Sequence, residues 1–216
     1  MYIAIEGVIG VGKTTLARLL APAFQADLLL EVFEENPFLS DFYGDRQRYA
    51  FQTQIFFLLS RYQQQRHKVH ELRDQGKTLI SDYTFAKDSL FARINLQGDE
   101  LDMYDRVHEA LAEKIILPDL LVYLRADTDV LMQRIALRDR SYERNMESSY
   151  INQLNLAYEA FFTKPYDGTP ILVIDSDPLD FVRQPRHLKL IENRIREALN
   201  LVPFQSELPL GNQKPE

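Results

Sequence analysis

The chain has 216 residues, no cysteine and a formal net charge of −7. These figures exclude disulfides and thiolate metal sites, and they argue against a general nucleic-acid surface, which needs a basic face. With 45% hydrophobic residues and a mean hydropathy of −0.29, it reads as one globular domain, and apolar runs such as Ile55–Leu59 are far too short to span a membrane.

The first expected element is a strand, Tyr2-Ile3-Ala4-Ile5, which begins so early that no signal peptide is expected and a cytoplasmic location is. Directly after it, Gly7-Val8-Ile9-Gly10-Val11-Gly12-Lys13-Thr14 fills every fixed position of G-x-x-x-x-G-K-[ST]. Leu16, Leu19, Leu20 and Ala23 then fall on one helical face, so the motif has the strand–loop–helix setting it needs. Glycines let backbone N–H groups close around phosphate oxygens, and the helix N-terminus adds its positive dipole end. Gly7–Thr14, with Thr15, is therefore the expected ATP-binding segment; Lys13 reaches the β- and γ-phosphates and the Thr14 hydroxyl holds Mg²⁺.

Further short apolar runs predict strands at Leu28–Val32, Thr78–Ser81, Leu120–Leu124 and Ile171–Ile174. Between them, helices are expected over Tyr49–Val69 (Phe51, Ile55, Leu58, Leu59 and Tyr62 on one face), over Leu101–Ile115, and over Leu188–Val202. Strand–helix alternation gives a parallel sheet covered on both faces. Residues 1–202 form the expected domain, and 203–216, with three prolines, an expected flexible tail.

Ligands of open α/β sheets bind beyond the carboxyl ends of the strands. Glu31 stands at such an end, where a carboxylate can accept a proton from an attacking hydroxyl, although a solvated acidic loop has equal claim from position alone. Asp82, after the third strand, suits a second Mg²⁺-organising group, or a helix cap. Residues 134–144 contain Arg134, Arg138, Arg140 and Arg144 against Asp139 and Glu143. Arg134 and Arg138 share a helix face, and a cluster of guanidinium forks suits a transferring phosphoryl group. His67 and His70 lack an evident third metal ligand, and His108 sits on an apolar stripe as a packed histidine.

Taken in order, these features resemble the deoxyribonucleoside kinase family. The residues that carry the resemblance are Glu6–Thr14, Glu31 in Glu31-Val32-Phe33-Glu34-Glu35-Asn36-Pro37-Phe38, Phe42-Tyr43, Phe51-Gln52-Thr53-Gln54, the Asp82 segment, Leu124-Arg125-Ala126 and the arginine cluster. The resemblance implies a P-loop fold with a five-stranded parallel sheet, helices on both faces and an arginine-rich lid. It implies transfer of the γ-phosphate of ATP to the 5′-hydroxyl of a deoxynucleoside, with Mg²⁺, in a homodimer. Glu31 is then the general base, with Lys13, Arg134, Arg138 and Arg140 as catalytic cations. Tyr43 and Glu143 hold the sugar 3′-hydroxyl, Gln54 reads the base with Gln52 as its competitor, and Asp88 accepts from a base amino or imino group. Phe51, Phe85 and Phe91 are candidate base-packing aromatics. One departure stands out: the family commonly has Asp/Glu-Arg-Ser after the third strand, whereas this chain has Asp82-Tyr83-Thr84. A similar Asp-Tyr occurs in the bacterial deoxyguanosine-kinase-like branch, which favours a purine acceptor. The rival readings are a nucleoside monophosphate kinase, whose phosphate acceptor Glu31 would repel, and a slowly hydrolysing nucleotide switch, which has no use for a base-reading glutamine.

Overall fold

The computed structural model describes residues 1–144, 146–163 and 168–202; segment 203–216, the expected tail, lies outside the described residues. Strands β1 (Tyr2–Glu6), β2 (Ala26–Leu29), β3 (Thr78–Ser81), β4 (Leu120–Arg125) and β5 (Ile171–Asp175) form one sheet in the order β2-β3-β1-β4-β5. Every pairing is parallel, with Ile3 opposite Ile80 on one side and Leu120 on the other. Ile3, Ala4, Ile5 and Leu120–Leu124 are wholly buried, as continuous apolar runs covered on both faces must be.

All five expected strands form, but the second is displaced. It ends at Leu29 rather than running on to Val32. The reason is the length of its neighbour. β3 stops at Ser81, and the Asp82 N–H still donates to the Leu29 carbonyl. The next donor, the Glu31 N–H, is taken by the Asp82 carboxylate at 2.8 Å instead of a backbone carbonyl. The ladder is thus terminated by a side chain, and Glu31 stands two residues beyond the strand.

The sheet is flanked by α1 (Lys13–Phe24), α2 (Leu39–Gly44), α3 (Arg46–Asp74), α4 (Lys87–Asn95), α5 (Gly98–Ala112), α6 (Thr128–Arg138), α7 (Ser148–Phe162) and α8 (Pro185–Ala198). Of these, α2, α4 and α7 were not anticipated. In α7, Ile151, Leu154, Tyr158 and Phe162 are buried at spacings of three and four, a legible helical stripe. In α4 the buried set includes Lys87 and Asp88, so its inward face is not apolar in sequence. The same holds for α3. Its buried face runs through Gln54, Leu58, Arg61, Gln65, Val69 and Leu72, while Leu59, expected in the core, is 44% exposed. Among the described residues no helix is long and apolar enough to cross a membrane.

Candidate active site

The phosphate loop leaves β1 in conformations that require glycine. Gly10 has φ +89° and Gly12, which caps α1, has φ +103°. A Cβ on Gly10 would come within 2.8 Å of the Ile135 side chain of α6 and 3.0 Å of the Leu131 carbonyl, so the loop is packed tightly against that helix. The first-turn N–H groups of α1 have no helical acceptor and supply the anion-binding end. Below the loop, the buried Glu6 carboxylate ties its first residue to the rest of the sheet. It accepts from Gly7 N–H (3.1 Å), Thr84 N–H (2.6 Å), Thr84 Oγ1 (3.1 Å) and Tyr158 OH (3.3 Å).

Above the carboxyl ends of β1, β2 and β3 lies a cleft of about 780 Å³. Its walls include Lys13, Thr14, Glu31, Gln54, Arg61 and Asp82 from one side and Arg138, Arg140, Tyr142 and Glu143 from the other. Lys13 Nζ donates to the carbonyls of Gly7 (2.7 Å) and Val8 (3.2 Å). Burial pushes the Lys13 ammonium down to about 8, with the nearby Lys87 charge acting in the same direction. Thr14 Oγ1 donates to Asp82 Oδ2, and the other Asp82 oxygen accepts the Glu31 N–H. Asp82 therefore couples the phosphate loop to the segment carrying Glu31.

Glu31 is held by two cations. Arg61 Nε donates to Oε1 at 3.0 Å, with Nη2 of the same guanidinium on the same oxygen, and Lys87 Nζ donates to Oε2 at 2.8 Å. Burial opposes ionisation here, but Arg61 and Lys87 outweigh it and hold the carboxyl well below the usual carboxylate range. Arg61 also donates through Nη1 to the fully buried Asp88. Its ring neighbour is Phe57, 4.4 Å from the guanidinium carbon.

Gln54 lines the cleft and is 2% exposed, whereas Gln52 points to solvent. Phe57 and Phe91 line the cleft, as do Phe33 and Tyr142. Phe85 instead stacks on His108, 4.7 Å between ring centroids, away from it. His108 is thus packed between rings, and desolvation lowers its pKa.

On the lid side, Arg138 makes a fork to Glu143, Nε–Oε2 2.9 Å and Nη2–Oε1 2.6 Å, with Arg140 3.7 Å from Oε1. Tyr142 stacks on Tyr43, 6.0 Å apart and 14° from parallel, and the Arg140 guanidinium lies 4.0 Å from the Phe33 ring. Tyr43 and Glu143 therefore line the same cleft. Arg134 has a different place. It donates to the Val11 carbonyl (3.3 Å), to Ser176 Oγ (3.0 Å) and to the Ser176 carbonyl (3.0 Å), behind the phosphate loop. Arg144 pairs with exposed Asp139 outside the cleft.

Two charged cleft residues escaped sequence reasoning, Arg61 and Lys87. Arg61 follows Gln54 by seven residues, two helical turns, so it shares the glutamine's face. That spacing was available in the sequence. Tyr83, which stands where an arginine was expected, is turned away: its ring is fully buried beside Tyr2, Leu72 and Leu79, and its hydroxyl donates to Gln64 at 2.8 Å.

The deoxynucleoside kinase family model matches residues 3–200. Deoxyguanosine kinase of Bacillus subtilis (strain 168) is 33% identical over 92% of this chain and 97% of its own length. Deoxyadenosine kinase of Dictyostelium discoideum is also 33% identical, over 81% of this chain and 71% of its own length. Among solved structures, deoxyadenosine kinase from M. mycoides with bound dCTP superposes with a TM-score of 0.78 and 28% identity, covering 91% of this chain and all of that one. A family model spanning nearly the whole chain, full-length relatives and a shared architecture agree with the cleft described above: the chain belongs to the deoxynucleoside kinase family, and it is an ATP-dependent phosphotransferase.

Proposed function

We propose that this kinase transfers the γ-phosphoryl group of ATP to the 5′-hydroxyl of a purine deoxynucleoside, with Glu31 as the general base. The observation that carries this reading is the position of Glu31. It lines the same cleft as the phosphate-loop residues Lys13 and Thr14 and the polar face of α3 with Gln54 and Arg61. A hydroxyl acceptor, weakly acidic at neutral pH, gains from a carboxylate there; a phosphate acceptor would be repelled by it.

In this mechanism the Gly7–Thr14 loop binds the phosphates, and Lys13 gives up the loop carbonyls of Gly7 and Val8 to reach them. The 5′-oxygen attacks phosphorus, the bond from phosphorus to the β–γ bridging oxygen breaks, and ADP leaves. The hydroxyl proton passes to Glu31. Arg138 and Arg140, both at the cleft, neutralise charge on the transferring group. Tyr43 and Glu143 clamp the sugar. Gln54 presents donor and acceptor to one base edge, as glutamine does with adenine; Arg61 lines the cleft beside it, with Asp88 behind Arg61. Asp88 keeps one buried oxygen without a partner among the described residues, an acceptor in reserve for a base N–H. Its position beside the relatives' purine specificities, as their names give them, favours a purine.

The oxygen pair of Thr14 and Asp82 fits Mg²⁺, a hard cation that completes its shell from phosphates and water. Among the described residues no cluster of three His, Cys, Asp or Glu offers an all-protein cage. Bound at that pair, Mg²⁺ supplies charge neutralisation to the phosphates. The homodimer implied by the resemblance and the cytoplasmic location expected from the sequence belong to the same proposal.

The test is ADP release with ATP and Mg²⁺ against deoxyguanosine, deoxyadenosine, deoxycytidine, thymidine, their 5′-monophosphates and no acceptor. Turnover with purine nucleosides is expected. Turnover confined to the monophosphates would reject Glu31 as base. Glu31→Gln should lower kcat by about 10²-fold or more with smaller losses in binding.

A further inference from the structure

We propose that Lys87 is a further catalytic residue, a cation that pairs with Glu31 in the ligand-free cleft and transfers its contact to the phosphoryl oxygens during the reaction. The inference rests on Glu31 being the base. It begins from a difficulty of geometry: Arg61 occupies Oε1 of Glu31 and Lys87 occupies Oε2, so one of them has to leave before a substrate hydroxyl can reach the carboxylate.

The two cations are not equally free. Arg61 is pinned on three sides, by Glu31, by buried Asp88 and by the Phe57 ring. Lys87 has a single anionic partner among the described residues, Glu31 Oε2. It is 4% exposed, lines the cleft together with Lys13 and Thr14, and sits at the first turn of α4 over the Phe91 ring at 5.7 Å. A lysine on a four-carbon stem is a mobile point charge, whereas an arginine fork held by two carboxylates is not. Lys87 is the group that can move.

The chain also has a place for it. In the connection after β3, position 83 is a tyrosine buried on the far side, and Arg93 is exposed and pairs with Asp105. Lys87 is therefore the cation that this connection delivers to the cleft. Charged or titratable groups around Glu31 are Arg61 from α3, Lys87 from α4, Asp82 after β3, Lys13 from α1 and Tyr158 from α7, with Tyr83 within electrostatic reach but turned away. In the transfer step the 5′-oxygen–phosphorus bond forms, the bond to the bridging oxygen breaks, and the proton goes to Glu31. Lys87 keeps its own protons throughout. Its move uncovers Glu31 Oε2 and adds positive charge where the three equatorial oxygens accumulate negative charge.

The experiment is steady-state kinetics of Lys87→Met and Lys87→Arg, with Glu31→Gln in parallel, ATP affinity by calorimetry and Tm by thermal unfolding. Lys87→Met should lose about 10²-fold in kcat, with both KM values changed by less than about threefold. Lys87→Arg should recover at least about a tenth of kcat. A kcat within about threefold of wild type, a loss confined to KM, or a loss of ATP affinity together with a lower Tm would each overturn the proposal. Wild-type turnover in Glu31→Gln removes the base role itself and leaves the kcat of Lys87→Met to be judged alone.

Discussion

Lys13 meets two opposing demands: it must be charged to grip phosphate, yet it is buried beside Lys87, and its ammonium is pushed down to about 8. The sign follows directly. Below about pH 8 the free protein carries the charged form that ATP selects; above it the neutral form dominates and binding must first restore the proton. ATP affinity should therefore be flat from about pH 6.5 to 7.5, weaken by up to tenfold per unit above 8, and be accompanied by proton uptake near pH 8. Calorimetry in buffers of different ionisation enthalpy checks this; constant affinity from pH 7 to 9.5 with no proton uptake would show the lysine to be unshifted. At this scale the sequence was most legible where backbone and side chain work as one motif. Lys13, Thr14 and Asp82 could be placed because a strand end and a glycine loop leave them few positions. Arg61 and Lys87 could not, since an arginine or lysine in a charged helix normally faces water. Only the closing of α3 on α4 takes both out of solvent, at 5% and 4% exposure.

Helix α3 shows why an apolar stripe can mislead about which face is inside. Its sequence offers Phe51, Ile55, Leu58, Leu59 and Tyr62, but the buried stripe takes Leu58 and Tyr62 from that set and adds Gln54, Arg61 and Gln65. A ligand cleft is the cause: a helix that lines one must bury polar groups that the ligand or a partner helix later satisfies. Gln65 lies below the cleft rather than in it, and its Nε2 is buried with no partner among the described residues. An orphan amide donor of this kind costs about 1–3 kcal/mol. Gln65→Met, similar in volume and free of the donor, should raise stability by about 1 kcal/mol, or Tm by about 2–4 °C, with kcat unchanged. Thermal unfolding by circular dichroism measures it, and a Tm lowered by the same amount would mean that the amide is satisfied by a buried water. The missed helix α7 is a different case: its stripe of Ile151, Leu154, Tyr158 and Phe162 obeys helical spacing, so it was readable, whereas α4, entered through two buried charges, was not.

Across the whole molecule, alternation of strand and helix was enough to specify a parallel sheet, because parallel strands need crossovers and the apolar runs were too continuous for one-sided burial. Strand order was not legible from pattern alone, since nothing local states that β1 lies between β3 and β4. The arginine cluster was legible as a charge anomaly but not as two separate devices, and the fold divides it. Arg134 bridges three elements: from α6 it reaches Val11 of the phosphate loop and Ser176 after β5. Arg138, one turn on, is exposed and among the described residues forks to Glu143, which lies on the lid side of the cleft. One guanidinium fastens the nucleotide loop to the segment after β5, and the other, in the proposed mechanism, exchanges a carboxylate for the transferring phosphate. The two glutamine variants should therefore fail differently. Arg134→Gln removes three hydrogen bonds between packed elements and should cost about 1–3 kcal/mol, lowering Tm by about 3–10 °C and weakening ATP binding before chemistry is touched. Arg138→Gln strips the fork from Glu143, which is 5% exposed and keeps Arg140 3.7 Å away, so it should lower Tm by less than Arg134→Gln does while cutting kcat by about 10- to 100-fold. Thermal unfolding, ATP titration and turnover on the same two proteins decide the matter. If Arg138→Gln lowered Tm while Arg134→Gln lowered only kcat, the division would be reversed, and Arg134 rather than Arg138 would be the cation that meets the transferring phosphate.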